Sequence, residues 1–90
     1  MATRGFRITG RVQGVGFRWF VRGEARSRGL AGWVRNLPDG SVEVLVRGPE
    51  AVLAGLERAL ARGPAGARVD RLEERPNTDP ADLPDPFQIE

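Results

Sequence analysis

The chain has 90 residues, 14 basic and 12 acidic side chains, a formal net charge of +2, and neither histidine nor cysteine. That length holds one domain, expected over residues 1–90, with a single modest core. Lacking cysteine, it has no disulfide scaffold, thiolate zinc site or thiol nucleophile; lacking histidine, it is without the commonest general base and metal ligand. No apolar run approaches the roughly 20 residues of a membrane span, and the N-terminus lacks the apolar region of a signal peptide. A cytoplasmic protein with no membrane partner is expected. The sequence pI of 10.9 invites a polyanion partner, but the near balance of charges argues only weakly for one, and every basic residue is arginine.

Phe6, Ile8, Gly10 and Val12 alternate with Arg7, Thr9 and Arg11, a period of two that predicts a strand over about residues 5 to 12 with one buried face. From Phe17 the period lengthens. Phe17, Phe20, Val21 and Ala25 share a helical face and Gly29 offers a stop, so a helix is predicted over about 19 to 28. The runs LAGWVRN and SVEVLVRG flank Leu37-Pro38-Asp39-Gly40, where proline presets a turn and glycine supplies a positive φ, predicting a β-hairpin. Leu53, Leu56 and Leu60 make the stripe of a second helix, about 49 to 62, opened by Pro49 and Glu50 and closed by Arg62. Val69 and Leu72 have the wrong parity for one strand face, which predicts a bulged or irregular strand. PNTDPADLPDP, residues 76–86, reads as a rigid loop, followed by a short last strand with Phe87 and Ile89 on one face. The fold expected is α+β: a ferredoxin-like βαββαβ sandwich, two helices on one face of an antiparallel sheet, with an extra short C-terminal strand.

Between the first strand and the first helix lies GRVQGVGFR, residues 10–18. Gly14 and Gly16 open backbone conformations that let the amides of Gln13, Gly14, Val15, Gly16 and Phe17 converge on one centre, and Arg18 can add a two-pronged guanidinium. Such a nest binds oxyanions; the same residues also make a plain tight turn followed by a solvated arginine. There is no lysine for a Walker A loop and no third glycine for a dinucleotide fingerprint. GVGFRWFV imitates the aromatic motif of RNA-recognition sheets, but it follows the first strand and its aromatics have helical spacing. Asn36 is either a turn-flanking residue bonded to its own backbone or a site residue. Trp19 and Trp33 either pack or line a pocket, while Phe6 and Phe20 are assigned to the core. Asp79, Asp82 and Asp85 read as a solvated acidic loop rather than a metal site.

Two stretches carry a family resemblance: Ile8-x-Gly10-x-Val12-Gln13-Gly14-Val15-x-Phe17-Arg18, and Gly32-Trp33-Val34-Arg35-Asn36-x-x-x-Gly40-x-Val42 with Gly48 beyond it. Together they resemble the two signature motifs of the acylphosphatases, and the resemblance spans essentially the whole chain. It implies hydrolysis of a small-molecule acyl phosphate, a carboxylic–phosphoric anhydride, to a carboxylate and inorganic phosphate. By motif position Arg18 and the loop amides of Gln13 to Phe17 would hold the phosphoryl group, and Asn36 would orient the attacking water. Arginine already neutralises the phosphoryl charge, so no metal or other cofactor is expected. A monomer with no nucleic-acid partner is expected too. The departure from the family pattern is at the C-terminus, where only Glu90 follows Ile89. The competing readings are a binding module that holds a phosphorylated ligand and an RNA-binding sheet using Arg7, Arg11 and Arg35.

Overall fold

Phe6, Ile8 and Val12 are fully enclosed, as the period of two requires. The strand that leads into Val12, β1, runs Ala2–Arg11 in the computed structural model, which describes residues 1–90. Helix α1 is Phe17–Ser27, with Phe17, Val21 and Ala25 turned inward. It stops where expected: Gly29 has φ 70°, its amide donates to Arg26 O at 3.0 Å and the Leu30 amide to Ala25 O at 3.0 Å, while Leu30 itself is buried. This is the paired closure that a left-handed glycine permits. The hairpin consists of β2 (Ala31–Asn36) and β3 (Val42–Gly48), and helix α2 spans Glu50–Arg62. Strands β4 (Arg68–Arg75) and β5 (Gln88–Ile89) complete the chain. Buried residues of both helices pack with the inward faces of β1, β2 and β3 in one core.

The sheet order is β4-β1-β3-β2-β5. Four strands are antiparallel, as expected, but β5 runs parallel to β2, pairing Trp33 with Gln88 and Val34 with Ile89. The four-stranded antiparallel sheet is thus joined by the extra C-terminal strand in parallel, a direction the sequence left open. Its cause is the route of residues 76–86. β4 ends opposite Gly5, near the start of β1. From there the chain crosses along that same end of the sheet, where β2 also begins, and so enters β5 alongside β2. The crossing is tied down by Asn77 Nδ2 donating to Thr3 O at 3.4 Å, by the Arg47 guanidinium donating to Asp79 at 2.9 Å and to Pro80 O, and by Gly32 N–H donating to Pro84 O at 2.8 Å. A two-residue strand has little hydrogen bonding of its own. Phe87, fully buried, anchors it with about 2–3 kcal/mol of apolar burial, and Arg26 Nε donates to Phe87 O at 2.8 Å. The Glu90 amide adds a bond to Val34 O at 2.8 Å.

The parity break in β4 is a bulge. Thr9 pairs with Arg71 and Gly10 with Val69, leaving Asp70 as the extra residue, and the shift lets both Val69 and Leu72 pack against the core. Gly10 accommodates it at φ 130°, where an added Cβ would lie 2.1 Å from Arg68 O. Neither backbone can yield without breaking the ladder. Gly10→Ala should therefore destabilise the fold by at least about 2 kcal/mol, read as a lower urea midpoint. A midpoint unchanged from the parent would mean that the bulge relaxes freely.

Candidate active site

β1 and β2 flank β3 and both run antiparallel to it, so their C-terminal ends share one end of the sheet. Ile8, Val42 and Asn36 lie in one register row there. Residues 12–16 leave β1 at that same end and turn into α1. The turn needs its glycines: Gly14 has φ 73°, and Gly16, the residue capping α1, has φ 77° and ψ 18°. Gly16 gives the helix no side-chain cap, and the first turn contains no acid. Helix α2, by contrast, has Glu50 in its first turn. The amides of Gln13 to Trp19 donate to nothing within the protein; the first to do so is Phe20 N–H, to Gly16 O at 3.0 Å. The positive end of α1 is thus left uncompensated beside a loop of free donors.

Gly14, Gly16, Phe17, Arg18 and Asn36, joined by Trp19, line one cavity of about 280 Å3. The Arg18 guanidinium spends one donor, Nη1 to the main-chain O of Glu90 at 3.2 Å, and pairs with no acidic side chain, so most of its fork remains available. Asn36 Oδ1 is buried and has no hydrogen-bond partner in the protein. A buried acceptor left open in this way is costly unless something occupies it. The Phe17 ring is buried and tilted against Phe20, with centroids 5.8 Å apart.

Two expected site residues turn their side chains elsewhere, leaving only the backbone amides that the expectation named. Val15 packs against the core. The Gln13 side chain turns to the hairpin, its Nε2 donating to Leu37 O and Ser41 O, each at 2.8 Å. Gln13 can thus serve an anion only through its amide, while its side chain joins the glycine loop to the turn that follows Asn36. That turn is closed by Leu37 N–H to Ser41 O at 2.8 Å and Gly40 N–H to Leu37 O at 3.1 Å. Asp39 Oδ1 accepts from the Ser41 amide at 2.9 Å and hydroxyl at 2.5 Å, and its other oxygen pairs with Arg7 on β1. These long-range clamps had no local signature in the sequence.

The other features carry less chemistry. A larger hollow of about 560 Å3 lies between α2 and β4, but its acids are paired, Glu57 with Arg4 at 3.1 Å and Asp70 with Arg68 at 2.8 Å. Arg58 and Arg71 line it without ion-pair partners, but it holds no free amide nest and no unpartnered buried acceptor, so those two features rather than volume mark the site. Trp33 sits away from the cavity, with the Arg35 guanidinium 4.6 Å from its ring centroid. Arg35 also pairs with Glu43 at 2.7 Å, and Arg7 with Asp39 and Glu73. Asp79, Asp82 and Asp85 do not form a cluster able to hold a metal ion.

The family model for acylphosphatase matches residues 4–89. The chain belongs to the acylphosphatase family. An acylphosphatase of Koribacter versatilis is 58% identical over 71 residues, covering 79% of this chain and 64% of that protein. One from Nitratidesulfovibrio vulgaris strain DP4 is 47% identical over 92 aligned positions, covering 99% of this chain and 90% of that one. The crystal structure of acylphosphatase from Bacillus subtilis superposes with a TM-score of 0.91 at 39% identity, covering 99% of this chain and 98% of the other. The activity is accordingly the hydrolysis of acyl phosphates.

Within this acylphosphatase the turn after Asn36 carries a pH signature. The Ser41 hydroxyl first, then the Ser41 amide and Arg7, hold the Asp39 carboxyl far below its usual range. A depressed folded-state value means that the ionised carboxylate stabilises the fold above the ordinary value near pH 4, and that this contribution fades as pH falls below it. Asp39→Asn should be less stable than the parent at pH 7, with the gap between their urea midpoints closing from about pH 5 toward pH 2. A gap constant across that range would contradict the assignment.

Proposed function

We propose that residues 1–90 form a single monomeric, cytoplasmic acylphosphatase domain that works without a metal, using Arg18 and the loop amides to bind the phosphoryl group and Asn36 to orient water. The observation that carries this reading is that one cavity is bordered by residues with free amides, by a guanidinium paired with no acidic side chain and by Asn36, whose buried carbonyl has no partner. The donors of Gly14, Gly16, Phe17 and Arg18 complement the charge on the equatorial phosphoryl oxygens, where electrostatic stabilisation has most effect. Asn36 Oδ1 accepts from a water O–H and aims the oxygen at phosphorus. The new O–P bond forms as the bond from phosphorus to the acyl oxygen breaks, and the electron pair leaves with the carboxylate.

That leaving group has a conjugate acid of pKa roughly 4 to 5, so it departs without a general acid. The absence of histidine is therefore no obstacle. Asparagine cannot accept the proton of the water, which passes to a phosphate oxygen or to solvent. Pairing of Arg7 and Arg35 with acids leaves those two strand arginines poorly placed to form a polyanion surface. No helix is long and apolar enough to cross a membrane.

Benzoyl phosphate hydrolysis measured in the presence of a metal chelator tests the assignment. The parent should turn over unimpaired, while Arg18→Ala and Asn36→Ala, still folded by circular dichroism, should each lose about 10²–10³-fold in kcat. A folded parent that binds phosphate without turnover would make the same cradle a recognition module, and variants with near-parent rates would remove these residues from the mechanism.

A further inference from the structure

Trp19 is the one exposed large apolar side chain apart from Met1, at 63%. The burial pattern of α1 shows why it is not a failed core residue. Phe17, Val21 and Ala25 take the inward face, and position 19 falls off that stripe. Helical side chains lean toward the N-terminus of their helix, so an aromatic at this position reaches back over the glycine loop. There it lines the same cavity as Gly14, Gly16, Arg18 and Asn36. Arg22, one turn later, lays its guanidinium 4.0 Å from the Trp19 ring centroid and forms no ion pair. One face of the indole is therefore covered and its orientation held, while the residue as a whole stays open to solvent.

The cavity, at about 280 Å3, has the volume of about nine waters at roughly 30 Å3 each. A phosphoryl group seated on the amides and Arg18 leaves room beside it. We propose that Trp19 is a specificity-determining residue: its indole carries the acyl portion of the substrate and favours acyl phosphates with a planar aromatic acyl group over small aliphatic ones. This rests on the phosphoryl group occupying the glycine loop as set out above. Offset stacking on an indole rewards a planar, apolar partner, and acetyl offers too little surface to gain from it.

Steady-state rates with benzoyl phosphate and acetyl phosphate, for the parent, Trp19→Ala and Trp19→Phe, test the proposal. The parent should prefer benzoyl phosphate. Trp19→Ala should lose roughly tenfold in kcat/KM for benzoyl phosphate, mainly through KM, and less than about twofold for acetyl phosphate, while Trp19→Phe restores most of the preference. Equal losses on the two substrates, a loss confined to kcat, or an unchanged ratio would overturn it while leaving the glycine-loop assignment standing. A parent inert toward both substrates sinks that assignment and this inference with it.

Discussion

The uncapped start of α1 is the constraint around which the molecule is arranged. A serine or aspartate at the capping position would offer a side-chain acceptor to the free amides, worth about 1 kcal/mol over alanine though only a few tenths over glycine. Here the position is Gly16, in a left-handed conformation, and no acid follows in the first turn. The amides of the preceding loop are equally without acceptors. Helix α2, by contrast, has Glu50 in its first turn. Neither helix has a side-chain cap, but α2 has an acid at its positive end and α1 has none, which leaves the start of α1 open to an anion.

Holding such a loop in place requires support from outside it. Gln13 supplies one tie, joining the loop to the carbonyls of Leu37 and Ser41. Asp39 supplies another, joining the same turn to Arg7 on β1. Because β1 and β2 run in the same direction, these ties bring the end of β2, with Asn36, to the mouth of the loop. Residues 76–86 cross at the opposite end of the sheet, over Thr3 and Arg47, which keeps that crossing away from the cavity. Glu90 returns to it, its main-chain oxygen accepting from Arg18.

What the sequence made legible was governed by local rules. The inward face of β1, the closure of α1 at Gly29, the Leu37–Gly40 turn and the bulge implied by Val69 and Leu72 all follow from residue parity or from the conformational needs of glycine and proline. The direction of β5 did not, because it depends on which end of the sheet the chain crosses. The orientation of the Gln13 side chain was hidden as well, since its acceptors lie 24 and 28 residues away. Gly14, Gly16 and Arg18 were readable as an anion nest, but the open acceptor on Asn36 emerges only when the hairpin is folded. Trp19 left a signal that helical spacing could have resolved: it falls off the stripe of Phe17, Val21 and Ala25.

The most direct test of the cradle is an amide titration, following ¹H–¹⁵N resonances as inorganic phosphate is added to the folded protein. Free donors that converge on one anion predict saturable shifts concentrated on the amides of Gly14 to Trp19 and on the side-chain amide of Asn36, and their loss in the Arg18→Ala variant. Shifts centred on the hollow between α2 and β4, or absent at millimolar phosphate, would contradict a phosphate site at the start of α1.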